Sequence, residues 1–127
     1  MSRPLQLRIV TSGKVAPVWQ EFNARLDEDP EFIVIKVQGD GLESLLAVKS
    51  EQPAVVILNC PTEANGISSH LFAEHPDMVV LKLDQTGRAF FEQLLPHVWE
   101  VTPATYETLS TTLRLAVEDP VANRRPT

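Results

Sequence analysis

Pro53-Ala54-Val55-Val56-Ile57-Leu58-Asn59 is the stretch on which the fold turns. Val55 to Leu58 is an unbroken aliphatic run with no polar alternation. Such a run is expected of a parallel strand whose two faces are both covered by helices. Asn59 then sits where the strand delivers a side chain to the carboxyl edge of its sheet.

On either side of this strand, apolar runs alternate with helical spacings. Leu5 to Val10 reads as a first strand that stops at Thr11-Ser12-Gly13. Val18, Phe22 and Leu26 then recur every four residues with Trp19 beside them, one face of a helix. Asp27-Glu28-Asp29-Pro30 ends that helix, because proline disfavours helical geometry in the residue before it. Phe32 to Val37 is a dense second strand, and Gly39-Asp40-Gly41 breaks the chain before a short helix carrying Leu42, Leu45, Leu46 and Lys49. After Asn59, Gly66 opens a third helix that runs to Glu74, and Met78 to Leu83 is a fourth strand. Arg88 to Leu95 reads as a fourth helix with Phe90, Phe91, Leu94 and Leu95 as its apolar residues. Val98-Trp99-Glu100-Val101 is a short fifth strand. Thr102 to Val117 closes the pattern as a helix, with Pro103 near its first turn and Tyr106, Leu109, Leu113 and Val117 on one stripe. Five strand–helix units predict an α/β, three-layer, doubly wound domain over residues 1–117 with a five-stranded parallel sheet. Residues 118–127 read as a flexible tail or the start of a linker.

Composition narrows the function classes. A chain of 127 residues fits one domain. Its 43% hydrophobic and 22% charged residues are ordinary for a globular protein, and no apolar run approaches the ~20 residues of a bilayer span. No membrane anchor or leader is expected. The single cysteine, Cys60, excludes an intramolecular disulfide and any multi-cysteine zinc site, which fits a cytoplasmic setting. A net charge of −6 repels polyanions, so no nucleic-acid binding is expected of this domain alone.

Several phrases, in order, resemble the receiver domain of response regulators. Gly39-Asp40-Gly41-Leu42-Glu43-Ser44-Leu45 is similar to that family's entry into its second helix, and Gln52 to Leu58 to its third strand. Glu74 to Val80 is similar to the approach to the fourth strand, and Thr102-Pro103 sits where the family carries Lys-Pro. The resemblance implies a flavodoxin-like sheet of order 2-1-3-4-5 with a site at the strand ends. It also implies that the phosphotransfer groups are gone. Thr11 and Ser12 stand for the acidic Mg²⁺ ligands, Asn59 for the phosphoacceptor aspartate, Asp84 for the switch hydroxyl and Thr102 for the lysine. Pro61 also falls two residues early. These residues are expected to form a degenerate, phosphorylation-independent pocket with no catalytic residue, metal or cofactor, a pseudo-receiver.

By the same resemblance, the face of helix four, strand five and helix five carries partner binding or self-association, as a dimer for example. Phe90, Phe91, Trp99 and Tyr106 are its candidate residues, with Trp99 near the aromatic position that moves on activation. Core packing is the competing reading of each. The leading expectation is a non-enzymatic signalling and protein-interaction module of a two-component-type regulator, with the first part of a longer regulator as one form of it. The alternative is a small-ligand-binding domain that reuses the strand-end crevice through Thr11, Ser12 and Asn59. An enzyme using Cys60, His70, His75 or His97 is a third class. The histidine spacings fit no metal motif, and no cation adjoins Cys60 in sequence to activate it. Thr11-Ser12-Gly13-Lys14 lacks the glycine and the Gly-Lys-Ser/Thr order of a phosphate loop.

Overall fold

The computed structural model describes residues 6–37, 41–59, 65–93 and 97–118. β1 (Leu7–Ser12), β2 (Phe32–Val37), β3 (Val55–Asn59) and β4 (Val79–Leu83) pair in parallel in the order β2-β1-β3-β4. α1 (Gln20–Glu28), entered through a 3-10 turn at Pro17–Trp19, and α4 (Tyr106–Glu118) cover one face. α2 (Gly41–Glu51) and α3 (Asn65–Glu74) cover the other.

Strand alternation divides the core between these layers. Ile9, Val55, Ile57, Val79 and Leu81 pack with Phe22 and Leu26 of α1 and with Leu109 and Leu113 of α4. Val10, Val56, Leu58 and Val80 point the opposite way, to Val48 of α2 and to Leu71 and Phe72 of α3. All five residues of β3 are buried, which is why its sequence shows no polar alternation.

Past β4 the expected architecture fails. The segment read as helix four is β5 (Ala89–Gln93), antiparallel to β4, and β6 (His97–Val101) returns antiparallel to β5. The sheet is therefore mixed and six-stranded, ordered β2-β1-β3-β4-β5-β6, in place of a five-stranded parallel one. The turn supplies the reason. Asp84 Oδ1 accepts hydrogen bonds from the Thr86 amide (2.9 Å), the Thr86 hydroxyl (2.8 Å) and the Arg88 amide (2.9 Å). Gly87 follows at φ +93°, the left-handed residue of a three-residue hairpin loop. From there Ala89, Phe91 and Gln93 turn inward while Phe90 and Glu92 are half-buried, a period of two. In the strand, the adjacent Phe90 and Phe91 point to opposite sides.

α4 begins at Tyr106, four residues later than the proline suggested. Thr105 Oγ1 accepts from the Thr108 amide (3.2 Å), while the Thr105 amide donates to Thr108 Oγ1 (3.1 Å). This reciprocal cap satisfies amide groups at the helix start. Thr102 and Pro103, joined by a cis peptide, are exposed in the link before it. Glu118 is still helical, and the rest of the proposed tail lies outside the described residues. No described helix is long and apolar enough to cross a membrane.

Candidate functional site

Strand geometry separates the residues expected to form one pocket. Thr11 and Ser12 are neighbours on β1 and so face opposite layers. The Ser12 hydroxyl hydrogen-bonds the Ser44 hydroxyl of α2, both residues being buried. Asn59 donates from Nδ2 to the Ser12 carbonyl (3.2 Å), and its buried Oδ1 has no hydrogen-bond partner among the described residues. Gly13, at φ +91°, lies so close that a Cβ there would sit 2.8 Å from the Asn59 carbonyl oxygen. At the β1–β3 junction, where the strand order reverses and an open α/β sheet usually binds its ligand, Ser12, Gly13 and Asn59 are therefore in close contact.

Asp84 caps the β4–β5 turn. Burial pushes its carboxyl up, but the bonds from the Arg88 and Thr86 amides and the Thr86 hydroxyl outweigh this and hold it below the usual range. Its carbonyl oxygen also accepts from Trp19 Nε1 at 2.6 Å, tying the turn to the approach of α1. Thr102 lies just past β6, whose place in the sheet is three strands from β3. At roughly 4.8 Å per strand that is about 14 Å sideways, one spacing more than the expected order allows. Of the five pocket residues, Ser12 and Asn59 are joined by a hydrogen bond.

A crevice lies one strand away from the β1–β3 junction, at the ends of β1 and β2. It measures about 470 Å³ and is walled by Thr11, Gly13, Lys14 and Val15 after β1, Asn23 of α1, and Lys36 and Val37 ending β2. That volume suits a small ligand. Thr11 is 5% exposed, and its hydroxyl makes no hydrogen bond to a described residue. Asn23 donates its amide to the Trp19 carbonyl (2.9 Å), leaving its own carbonyl oxygen free among the described residues. Lys36 pairs with Asp27 at 2.6 Å, whereas Lys14 is exposed and unpaired among the described residues. Of these wall residues, only Thr11 was a candidate from sequence. Two signals were nonetheless present: a lysine interrupting the apolar run of β2 near its end, and a Gly-Lys pair leaving β1.

A second cleft, of about 310 Å³, opens between α1 and the start of α4. There Arg25 pairs with Glu107 at 2.9 Å and lies 4.4 Å from the Tyr106 ring centroid.

The expected partner face does not form, because its central helix is a strand. Phe91 is fully buried and stacks on Trp99 with centroids 5.5 Å apart. Tyr106 donates its hydroxyl to Asp29 Oδ2 at 2.6 Å and so latches α4 to the turn before β2. Burial pushes the Asp29 carboxyl up, but the bonds from Tyr106 and the Glu31 amide, with the Arg114 charge, hold it below the usual range. Burial, and then the bond to the Asp29 carboxylate, push the Tyr106 hydroxyl well above its usual value. Phe90 is half-buried, beneath Arg88 (5.0 Å), on a sheet face that also bears Val98 at 58% exposure. Cys60 and Pro61 lie outside the described residues, as does the side chain of His97. His70 is exposed and His75 half-buried, and no cluster of three His, Cys, Asp or Glu occurs among the described residues.

No family model matches this chain, and no curated protein does. Among solved structures, the C-terminal domain of the coenzyme A biosynthesis bifunctional protein CoaBC is similar at 12% identity and a TM-score of 0.43. That match covers 96% of this chain and 100% of the other. Similarity at this level supports no conclusion about fold, ligand or activity.

Proposed function

We propose that the chain is a non-enzymatic, phosphorylation-independent signalling module of receiver-like descent, whose input is a small polar ligand held without covalent chemistry. The observation that carries this reading is the β1–β2 crevice, with a 95%-buried threonine in its wall whose hydroxyl bonds no described residue. The identities and positions of Asn59, Asp84 and Thr102 support the absence of phosphotransfer: one is an amide, one caps a turn, and one lies strands away.

A thermal-shift screen of small metabolites tests the proposal, since a ligand that binds only the folded chain raises Tm. The expected result is a saturable rise that Thr11→Val diminishes. A flat screen, or a covalent phosphoryl adduct formed in Mg²⁺ with acetyl phosphate, would remove it.

A protein-binding reading without ligand is favoured by one feature, the exposed Val98 beside Phe90 on outermost strand β6 and its neighbour. Edge strands with an apolar face can accept a partner's strand. Loss of partner capture by Val98→Glu, with crevice variants silent, would favour it over the ligand reading.

A further inference from the structure

We infer that the ligand of the β1–β2 crevice is an anion, a small molecule bearing a phosphate or carboxylate group that Lys14 grips from the crevice mouth. This rests on the crevice being a binding site and adds the class of ligand it takes. The chain carries a net charge of −6, yet both ionisable residues among the described walls of the crevice are lysines. A protein that repels anions overall has here a local reversal of sign, which selects for an anion at this place and not over the general surface.

The two lysines are not equivalent. Lys36 is held at 2.6 Å by Asp27, so much of its charge is already answered, and its amine is fixed at the rim. Lys14 has no partner among the described residues and leaves Gly13, whose left-handed turn directs the chain across the strand ends. A lysine ammonium is a compact point charge with three donors on a flexible stem, suited to closing on an anionic oxygen. Deeper in the wall, the Thr11 hydroxyl and the Asn23 carbonyl oxygen can bond the polar body of the same ligand. Val15 and Val37 supply apolar walls for its carbon skeleton. Charge-assisted bonds are roughly twice as strong as neutral ones, so Lys14 carries the largest single share of affinity.

The test is an amide NMR titration of the full chain with pyrophosphate, citrate and, as a neutral control, ribose. The expected result is saturable shifts at Gly13, Val15 and Val37 with at least one of the anions and none with ribose. Lys14→Ala should then weaken binding about tenfold or more, Lys36→Ala by less, and added KCl should weaken it further. The unshifted spectrum of each variant checks its folding, and Lys14→Arg, which keeps the charge, should retain most of the affinity. Response to pyrophosphate alone assigns phosphates, and response to citrate alone assigns carboxylates. Binding of ribose at the same amides with both anions silent overturns the anion but leaves the binding site standing. Anion shifts that ignore Lys14→Ala, or that fall at Arg8 or Arg88 instead, also overturn it. Silence from all three probes overturns the anion, and a flat metabolite screen beside it removes the site as well.

Discussion

The two ends of the sheet are built on different terms. From β2 to β4, the strands pair with one another in parallel and lie between two helix layers. At the other end, the β5–β6 hairpin buries Ala89, Phe91 and Val101 on the α1–α4 side. Its opposite side presents half-buried Phe90, exposed Val98 and the cross-strand pairs Lys82–Glu92 (3.0 Å) and Arg88–Glu100 (2.9 Å). A strand covered twice reads as a continuous apolar run, and one covered once reads as an alternation. The contrast also locates function, because the parallel end owns the carboxyl-edge crevice while the hairpin owns the bare face.

The sharpest way to break this comparison is to truncate the two adjacent phenylalanines. Phe91→Ala should destabilise the chain by about 3–5 kcal/mol in urea unfolding, whereas Phe90→Ala should cost about 1 kcal/mol or less. Equal costs would mean that 89–93 is not a one-sided strand. The glycines sharpen the comparison next. Gly13→Ala forces a left-handed alanine whose Cβ meets the Asn59 carbonyl oxygen at 2.8 Å, for about 2 kcal/mol or more. Gly87→Ala, where the nearest atom is a Val18 methyl at 3.4 Å, should cost about 1 kcal/mol. If the hairpin glycine proves the dearer, the β1–β3 junction is looser than its contacts imply.

Tyr106→Phe comes third, at about 1 kcal/mol near neutral pH, and its acid dependence carries the information. Asp29 has a folded pKa depressed below its reference value of 3.8. Its contribution is therefore fully present above that value and is lost as pH falls through the still lower folded pKa. The stability gap between wild type and Tyr106→Phe should close as pH is lowered through and below 3.8; a gap that persists would mean the hydroxyl acts by packing. Smallest of all, Val98→Ser should change stability by less than about 0.5 kcal/mol, consistent with a residue 58% exposed. A larger loss would show that the bare face is covered.

The first four strands were legible because doubly covered strands announce themselves as aliphatic runs, and β2 was read to the residue. β5 was misread because Phe90-Phe91 with Leu94-Leu95 imitates helical spacing in the sequence. The corrective was Asp84-Gln85-Thr86-Gly87, a hairpin turn whose aspartate had been assigned to a pocket. Thr11 was legible at the site, while Asn23 and Lys36 were not, since they reach the crevice from α1 and β2.

The order of residues alone determined that Asn59 ends a buried strand, that the chain is acidic, and that no carboxylate stands at the expected phosphoacceptor position. Tertiary structure decided which strand ends meet and which gape. Strand pleating sends Thr11 and Ser12 to opposite layers, Gly13 lets β1 press on Asn59, and the crevice opens instead beside Lys36. Local pattern encodes how a segment is covered, but a site depends on distances between segments, and those exist only once the sheet has been assembled.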